Sequence, residues 1–176
     1  MRLISTRTVV GSVILSLFLV ANAAAQTMEK VDFFPDSIAE KGDQNFIIRL
    51  NGGSSWVLAS RTSALVNTDV IVVTRDVIVE GKPVRAAWMF VGGEEIPARH
   101  VEGVYPTSPA LLSRVLAAED QGTKLRLAEG TTLLVPGYNK YISNSWRLPY
   151  KVLLTDNRRT LYHLLDGRRI SVEPVK

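Results

Sequence analysis

Residues 47–58 read IIRLNGGSSWVL, and residues 124–135 read KLRLAEGTTLLV. Set over one another at an offset of 77 residues, Ile48 meets Leu125, Arg49 meets Arg126 and Leu50 meets Leu127. Gly53 then falls on Gly130, and Ser54-Ser55 on Thr131-Thr132. Each phrase places β-branched and long apolar residues on both sides of a glycine-containing turn. Apolar residues recurring at period two read as a half-buried strand, and glycine accepts the positive φ that tight hairpin turns require. Each phrase therefore predicts a β-hairpin.

The likeness is wider than the phrase. VIVVTRD at 70–76 resembles KVLLTDN at 151–157, and FVGGEEIP at 90–97 resembles LLDGRRIS at 164–171, with Gly93 over Gly167 and Ile96 over Ile170. The order is kept, so each unit reads as a hairpin, a central strand and a second hairpin. Ordered self-similarity of this kind predicts a duplicated supersecondary unit. The fold class expected is mainly β, with two duplicated small SH3-like β-barrel or β-sandwich units spanning 44–103 and 123–176. A unit of roughly 50 residues buries too little surface to be robust alone without disulfides or metal, so two units packed through a shared face gain from each other.

The segment between the units, 104–122, predicts the one short helix that joins them. Within it, Ser108 is a candidate cap, Pro109 suits the first helical position, Leu111, Leu112, Val115 and Leu116 make an apolar stripe, and Gly122 is a stop signal. Residues 26–43 have no strong period and read as a lead-in, with Phe33 and Phe34 packing onto the domain.

The first 25 residues carry a different signal. Arg2 and Arg7 precede an apolar core over Val9–Val20, and Ala23-Ala24-Ala25 offers a small-residue cleavage site. That pattern predicts a secretory signal peptide cleaved near Ala25, hence a periplasmic or secreted protein. The alternative is an uncleaved anchor, but the apolar run is shorter than the ~20 residues of a spanning helix. No membrane span is expected in the mature chain. There is no cysteine anywhere in the 176 residues, which excludes thiolate catalysis, disulfides and cysteine–zinc sites. Charge is polarised: residues 26–123 hold nine basic and thirteen acidic side chains, whereas 124–176 hold ten basic and four acidic. Such asymmetry serves attraction between the two halves or contact with an anionic partner.

The residues give little support to catalysis. The two histidines, His100 and His163, lack metal-ligand spacing, and His163 alternates with its neighbours so as to share a face with Leu161 and Leu165. GGSSW at 52–56 is no nucleophile elbow, and Glu94-Glu95 are adjacent, so strand geometry points them apart. Glycine-rich phosphate loops are missing as well. No cofactor and no metal are expected, and nucleic acid is not an expected partner.

Binding is better supported. The loop at 136–147, PGYNKYISNSWR, places Tyr138, Tyr141 and Trp146 among Asn139, Lys140, Asn144 and Arg147. Aromatic rings supply contact area at little entropic cost, and amides and cations supply polar recognition. The equivalent loop of the first unit, ASRTSALVNTD, has no aromatic residue. The dibasic pairs Arg158-Arg159 and Arg168-Arg169 fall at predicted hairpin turns and extend the candidate surface. The function expected is an exported non-catalytic binding protein of the cell envelope, contacting an envelope protein or a cell-wall polymer. The alternative is an inhibitor or immunity-type protein that blocks an exported enzyme or toxin, and an enzyme is the distant third.

Overall fold

The computed structural model describes residues 28–105 and 107–175, so the leader expected over 1–25 lies outside the described residues. The fold is mainly β. Strands β1 (Glu29–Gly42), β2 (Ile47–Leu50), β3 (Ser55–Leu58), β4 (Asp69–Val79), β5 (Lys82–Val91) and β6 (Glu94–Glu102) come first. Then follow β7 (Ser108–Glu119), β8 (Lys124–Leu127), β9 (Thr132–Leu134), a short helix α1 (Lys140–Ser145), β10 (Tyr150–Thr155), β11 (Thr160–His163), β12 (Arg169–Ser171) and β13 (Glu173–Pro174).

The first six strands close on themselves. β1 pairs β2, β2 pairs β3, β3 pairs β6, β6 pairs β5, β5 pairs β4, and β4 returns to β1, so this six-stranded barrel has no free edge. Its interior holds Phe34, Ile38, Ile48, Leu50, Trp56, Val70, Val72, Met89 and Ile96. In the second half β7 pairs both β8 and β10, β8 pairs β9, and β10 pairs β11. β11 pairs β12, and β13, one residue further along the chain, pairs β9. A second core of Val115, Leu125, Leu127, Leu133, Trp146, Tyr150, Val152, Leu154, Leu161 and Ile170 fills that curl.

The two hairpins predicted from the opening phrases are β2–β3 and β8–β9. Gly53 and Gly130 sit in their turns at φ 87° and 91°. The backbone likeness begins earlier than the sequence reading placed it. β1 carries an irregularity between Ile38 and Glu40, and β7 carries one between Val115 and Ala117, at the same 77-residue offset. Each strand then enters a tight turn with positive φ, at Asp43-Gln44-Asn45 and at Asp120-Gln121-Gly122.

Two expectations are corrected here. The segment 104–122 is no helix: Ser108–Glu119 is strand β7. Its leucines serve two faces, Leu111 packing on the second core and Leu112 on a third cluster between the halves. Leu116 stands at the bulge, half exposed. A run of apolar residues covered on both sides reads the same as a helix stripe, and the open edges of β1, β8 and β10 decided for strand. The lead-in over 26–43 is likewise strand β1, which pairs β7, β4 and β2 in succession along its 14 residues.

β1 and β7 join the halves. Val31 faces Ala110 and Phe33 faces Ser108, pairings that exchange under the 77-residue shift, while Asp32 opposite Pro109 is the midpoint. Around this seam lie Val31, Phe33, Ile71, Val73, Phe90, Leu153, Tyr162 and Leu164. β4 and β10 therefore read as near-continuous apolar runs because both faces are covered. Val70 and Val72 point into the first core and Ile71 and Val73 into the seam, as Val152 and Leu154 point into the second core and Leu153 into the seam.

One glycine is fixed by packing. Gly122 has φ +84°, and a Cβ there would lie 2.9 Å from Ser143 Oγ and 3.0 Å from Asn144 N, both in α1. Ser143 Oγ also donates to the Gly122 carbonyl at 2.8 Å. Gly122→Ala is expected to lower stability by about 2 kcal/mol, through backbone strain and displacement of α1. Chemical denaturation of the variant against wild type checks it, with an unchanged midpoint as the contrary result.

Candidate binding surfaces

The segment from Pro136 to Pro149 leaves β9, forms α1 and enters β10. Three of its residues are held by the body of the protein. Ile142 packs on the second core, Ser143 is fully buried against Gly122, and Trp146 is 7% exposed within that core. Tyr138 and Tyr141 are held outward, 67% and 70% exposed. Tyr138 lies in the turn before α1 and Tyr141 in its first turn, so both rings are offered to solvent from an arm anchored by its buried residues. Lys140, Asn144 and Arg147 are exposed beside them, and Asn139 is half-buried, its carbonyl accepting from Ile142 N and Ser143 N. No acidic residue occurs from 136 to 149.

Trp146 does not share the exposure expected of it. Its ring stacks on His163 at 4.6 Å and 9°, and Tyr150 meets both rings edge-on. His163 does share a side with Leu161, as the alternation implied, opposite Tyr162 and Leu164 in the seam, but Leu165 turns out to solvent. His163 Nδ1 bonds Asp166 Oδ1 at 2.7 Å. Trp146 Nε1, Tyr150 Oη and His163 Nε2 are buried without a hydrogen-bond partner among the described residues. Unpaired buried groups of this kind cost about 1–3 kcal/mol each.

Burial holds the Tyr150 phenol well above its ordinary pKa, because desolvation disfavours the phenolate. The sign is that of a group protonated more tightly when folded: its contribution is intact below the unfolded value of about 10 and is lost as pH rises beyond it. Tyr150→Phe is expected to keep or slightly raise stability at neutral pH, by up to about 1 kcal/mol, and to blunt unfolding above about pH 10. Denaturation midpoints at neutral and alkaline pH test this. A loss of stability at neutral pH would show that the hydroxyl is satisfied.

The dibasic pairs occupy separate turns. Arg158 and Arg159 occupy the β10–β11 turn, and Arg168 and Arg169 precede or begin β12, so the pairs lie at opposite ends of β11. Arg168 also approaches Asp166 at 3.8 Å. All four are exposed. Counted by the structural halves, 28–105 holds eight basic and eleven acidic residues, and 107–175 ten basic and six acidic.

Two features were not singled out from sequence. The β4–β5 hairpin outgrows the barrel: residues 75–86 pair only with each other and carry Ile78 at 71%, Val79 at 49% and Val84 at 45% exposure near the tip. Its base is pinned by Arg75–Glu29 at 2.7 Å and by Arg85 on Asp32. The length of DVIVVTRDVIVEGKPVRAAWMFV, beside the short turn of β10–β11, was the available signal. The second is a cleft of about 240 Å³ between the halves, lined in part by Phe90 and Glu94 from the first and by Arg147 and Tyr150 from the second.

Among the described residues, no group of three or more histidine or acidic side chains is placed to hold a metal ion, and no helix is long and apolar enough to cross a membrane. No family model matches the chain, and neither a curated protein nor a solved structure matches it.

Proposed function

We propose that this is an exported, non-catalytic binding protein of the cell envelope, built from two duplicated small barrels of SH3-like size. The observation that supports binding is the pinned arm. Ile142, Ser143 and Trp146 hold it down while Tyr138 and Tyr141 stand in solvent, where their rings offer contact area to a partner. The surplus of basic residues in the same half suits an anionic envelope polymer or an acidic envelope protein. Duplication is supported by the shared bulge, turn and strand-neighbour order of the two halves.

A second reading, an inhibitor or immunity-type protein, is favoured by the β4–β5 ribbon, whose exposed apolar tip on a pinned two-stranded stalk suits insertion into a cleft of an enzyme. One experiment separates the two. Mature protein, Tyr138→Ala/Tyr141→Ala and Ile78→Lys/Val84→Lys are used to capture partners from envelope extract at low and high salt. All three are expected to melt together, since the replaced side chains are exposed. Loss of a salt-sensitive partner only in the tyrosine variant supports the first reading. Loss of one stoichiometric, salt-resistant protein only in the ribbon variant supports the second. Capture unchanged by either variant overturns both.

A further inference from the structure

We propose, resting on the export reading above, that removal of the leader completes the second half of the fold: the amino group freed at Gln26 pairs with the carboxylate of Glu129.

Strand pairing brings the two together. Leu112 is paired by both Glu29 and Leu153, and Val115 by both Leu127 and Tyr150. β10 therefore takes one edge of β7, and β1 and β8 share the other, end to end. The gap between them on that edge is Ser113 and Arg114. One step beyond Glu29 in the register sets Met28 beside Ser113, and Met28 packs on the second core as Leu111 and Val115 do. Ser113 alternates with the same parity as those two residues of β7 and so faces the same side. Glu129 reaches this gap from the β8–β9 turn: Ser113 Oγ donates to its Oε2 at 2.5 Å, and Ala128 N donates to the Arg114 carbonyl at 2.9 Å.

The Glu129 carboxylate is only half satisfied. Among the described residues its Oε1 is buried without a hydrogen-bond partner, and it makes no ion pair. The first half lacks this defect. There, 77 residues earlier, Asp36 stands for Ser113 and Gly52 for Glu129. Asp36 accepts from Ser37 N at 2.8 Å and from Gly52 N at 3.0 Å, so both of its oxygens are bonded. The counterpart of Met28 in that half is Tyr105, which the chain reaches directly from β6. Met28 instead lies two residues from Gln26, where cleavage is expected. Two residues span at most about 7 Å. An ammonium there offers three donors and a positive charge to the orphaned oxygen, whereas an uncleaved chain offers one neutral N–H at residue 26. A charge-assisted bond of this kind offsets the cost of leaving a buried carboxylate oxygen unpaired.

The chain from Gln26 to Lys176 is prepared with Gln26 free and with Gln26 cyclised to pyroglutamate. In that reaction the amino nitrogen bonds the side-chain carbonyl carbon, ammonia leaves, and the terminal charge is lost. Cyclisation is expected to lower the melting temperature by about 4 °C in the wild type and by less than about 1 °C in Glu129→Gln. No shift in the wild type overturns the proposal, as does an equal shift in both backgrounds. The wild-type pair decides alone if Glu129→Gln does not fold. Sequencing the amino terminus of the protein taken from cells separates this pairing from the export reading. A start at Met1 overturns both. A start at Gln26 without a cyclisation shift overturns the pairing and leaves the export reading standing.

Discussion

Trp146→Ala lowers the unfolding free energy by about 3–5 kcal/mol, whereas Tyr141→Ala, five residues away in the same arm, changes it by about 0.5 kcal/mol or less. The contrast follows from exposure, 7% for the indole against 70% for the phenol. Removing the indole takes away the ring stacked on His163 at 4.6 Å, the edge-on contact with Tyr150 and a share of the second core. The hole does not collapse easily, because β10 and β11 beneath it are paired strands. The unpaired indole N–H offsets part of the loss, which places the effect toward the lower end of that range. In a chain of this size the change amounts to a melting point lower by about 10 °C. Thermal unfolding of the two variants side by side decides it. Equal melting points would put Trp146 at the surface and restore it as a partner contact.

Leu153→Asp is expected to abolish cooperative folding of the whole molecule. Leu153 is fully buried at the seam, among Val31, Phe33, Ile71, Phe90 and Tyr162. A carboxylate there replaces an apolar side chain packed in an apolar cluster, and burying it without a cation costs several kcal/mol on top of the lost packing. That sum is comparable with the roughly 5–15 kcal/mol by which domains are stable. Leu153→Ala, which removes packing alone, is expected to cost about 2–5 kcal/mol and to leave the fold intact. Leu134→Asp, on β9 and 37% exposed, serves as the control for a charge placed on a strand of the same half. Calorimetry gives the readout. If Leu153→Asp instead shows one half melting near the wild-type temperature, the halves are independently stable and the seam is dispensable.

The same residues show how far the sequence could be read. Hairpins β2–β3 and β8–β9 were legible because their instructions are local: Gly53 and Gly130 provide the turn, and the alternation of Ile48-Leu50 and Leu125-Leu127 provides the buried side. The alternation of Leu161 and His163 against Tyr162 and Leu164 was legible for the same reason. β7 was not. Ala110, Leu111, Leu112 and Val115 satisfy a helix stripe as well as a strand covered on both faces. The choice was made by backbone edges that only the assembled β1, β8 and β10 present. β1 lacked a period for a related reason, since its partner changes from β7 to β4 to β2 along its length.

The candidate surfaces divide in the same way. The sequence marked the arm at 136–147 as rich in rings and cations, and it determined the hairpins and the charge asymmetry, which depend on residue identity at short range. Which rings face outward was decided by tertiary structure. Trp146 found a cavity beside His163 and Tyr150, while Tyr138 and Tyr141 found none. The cleft likewise exists only because β1 pairs with β7, setting residues 90–95 beside 147–151 and 164–165. Local chemistry fixes what a segment offers; burial depends on what the rest of the chain places against it, and that is a property of the fold as a whole.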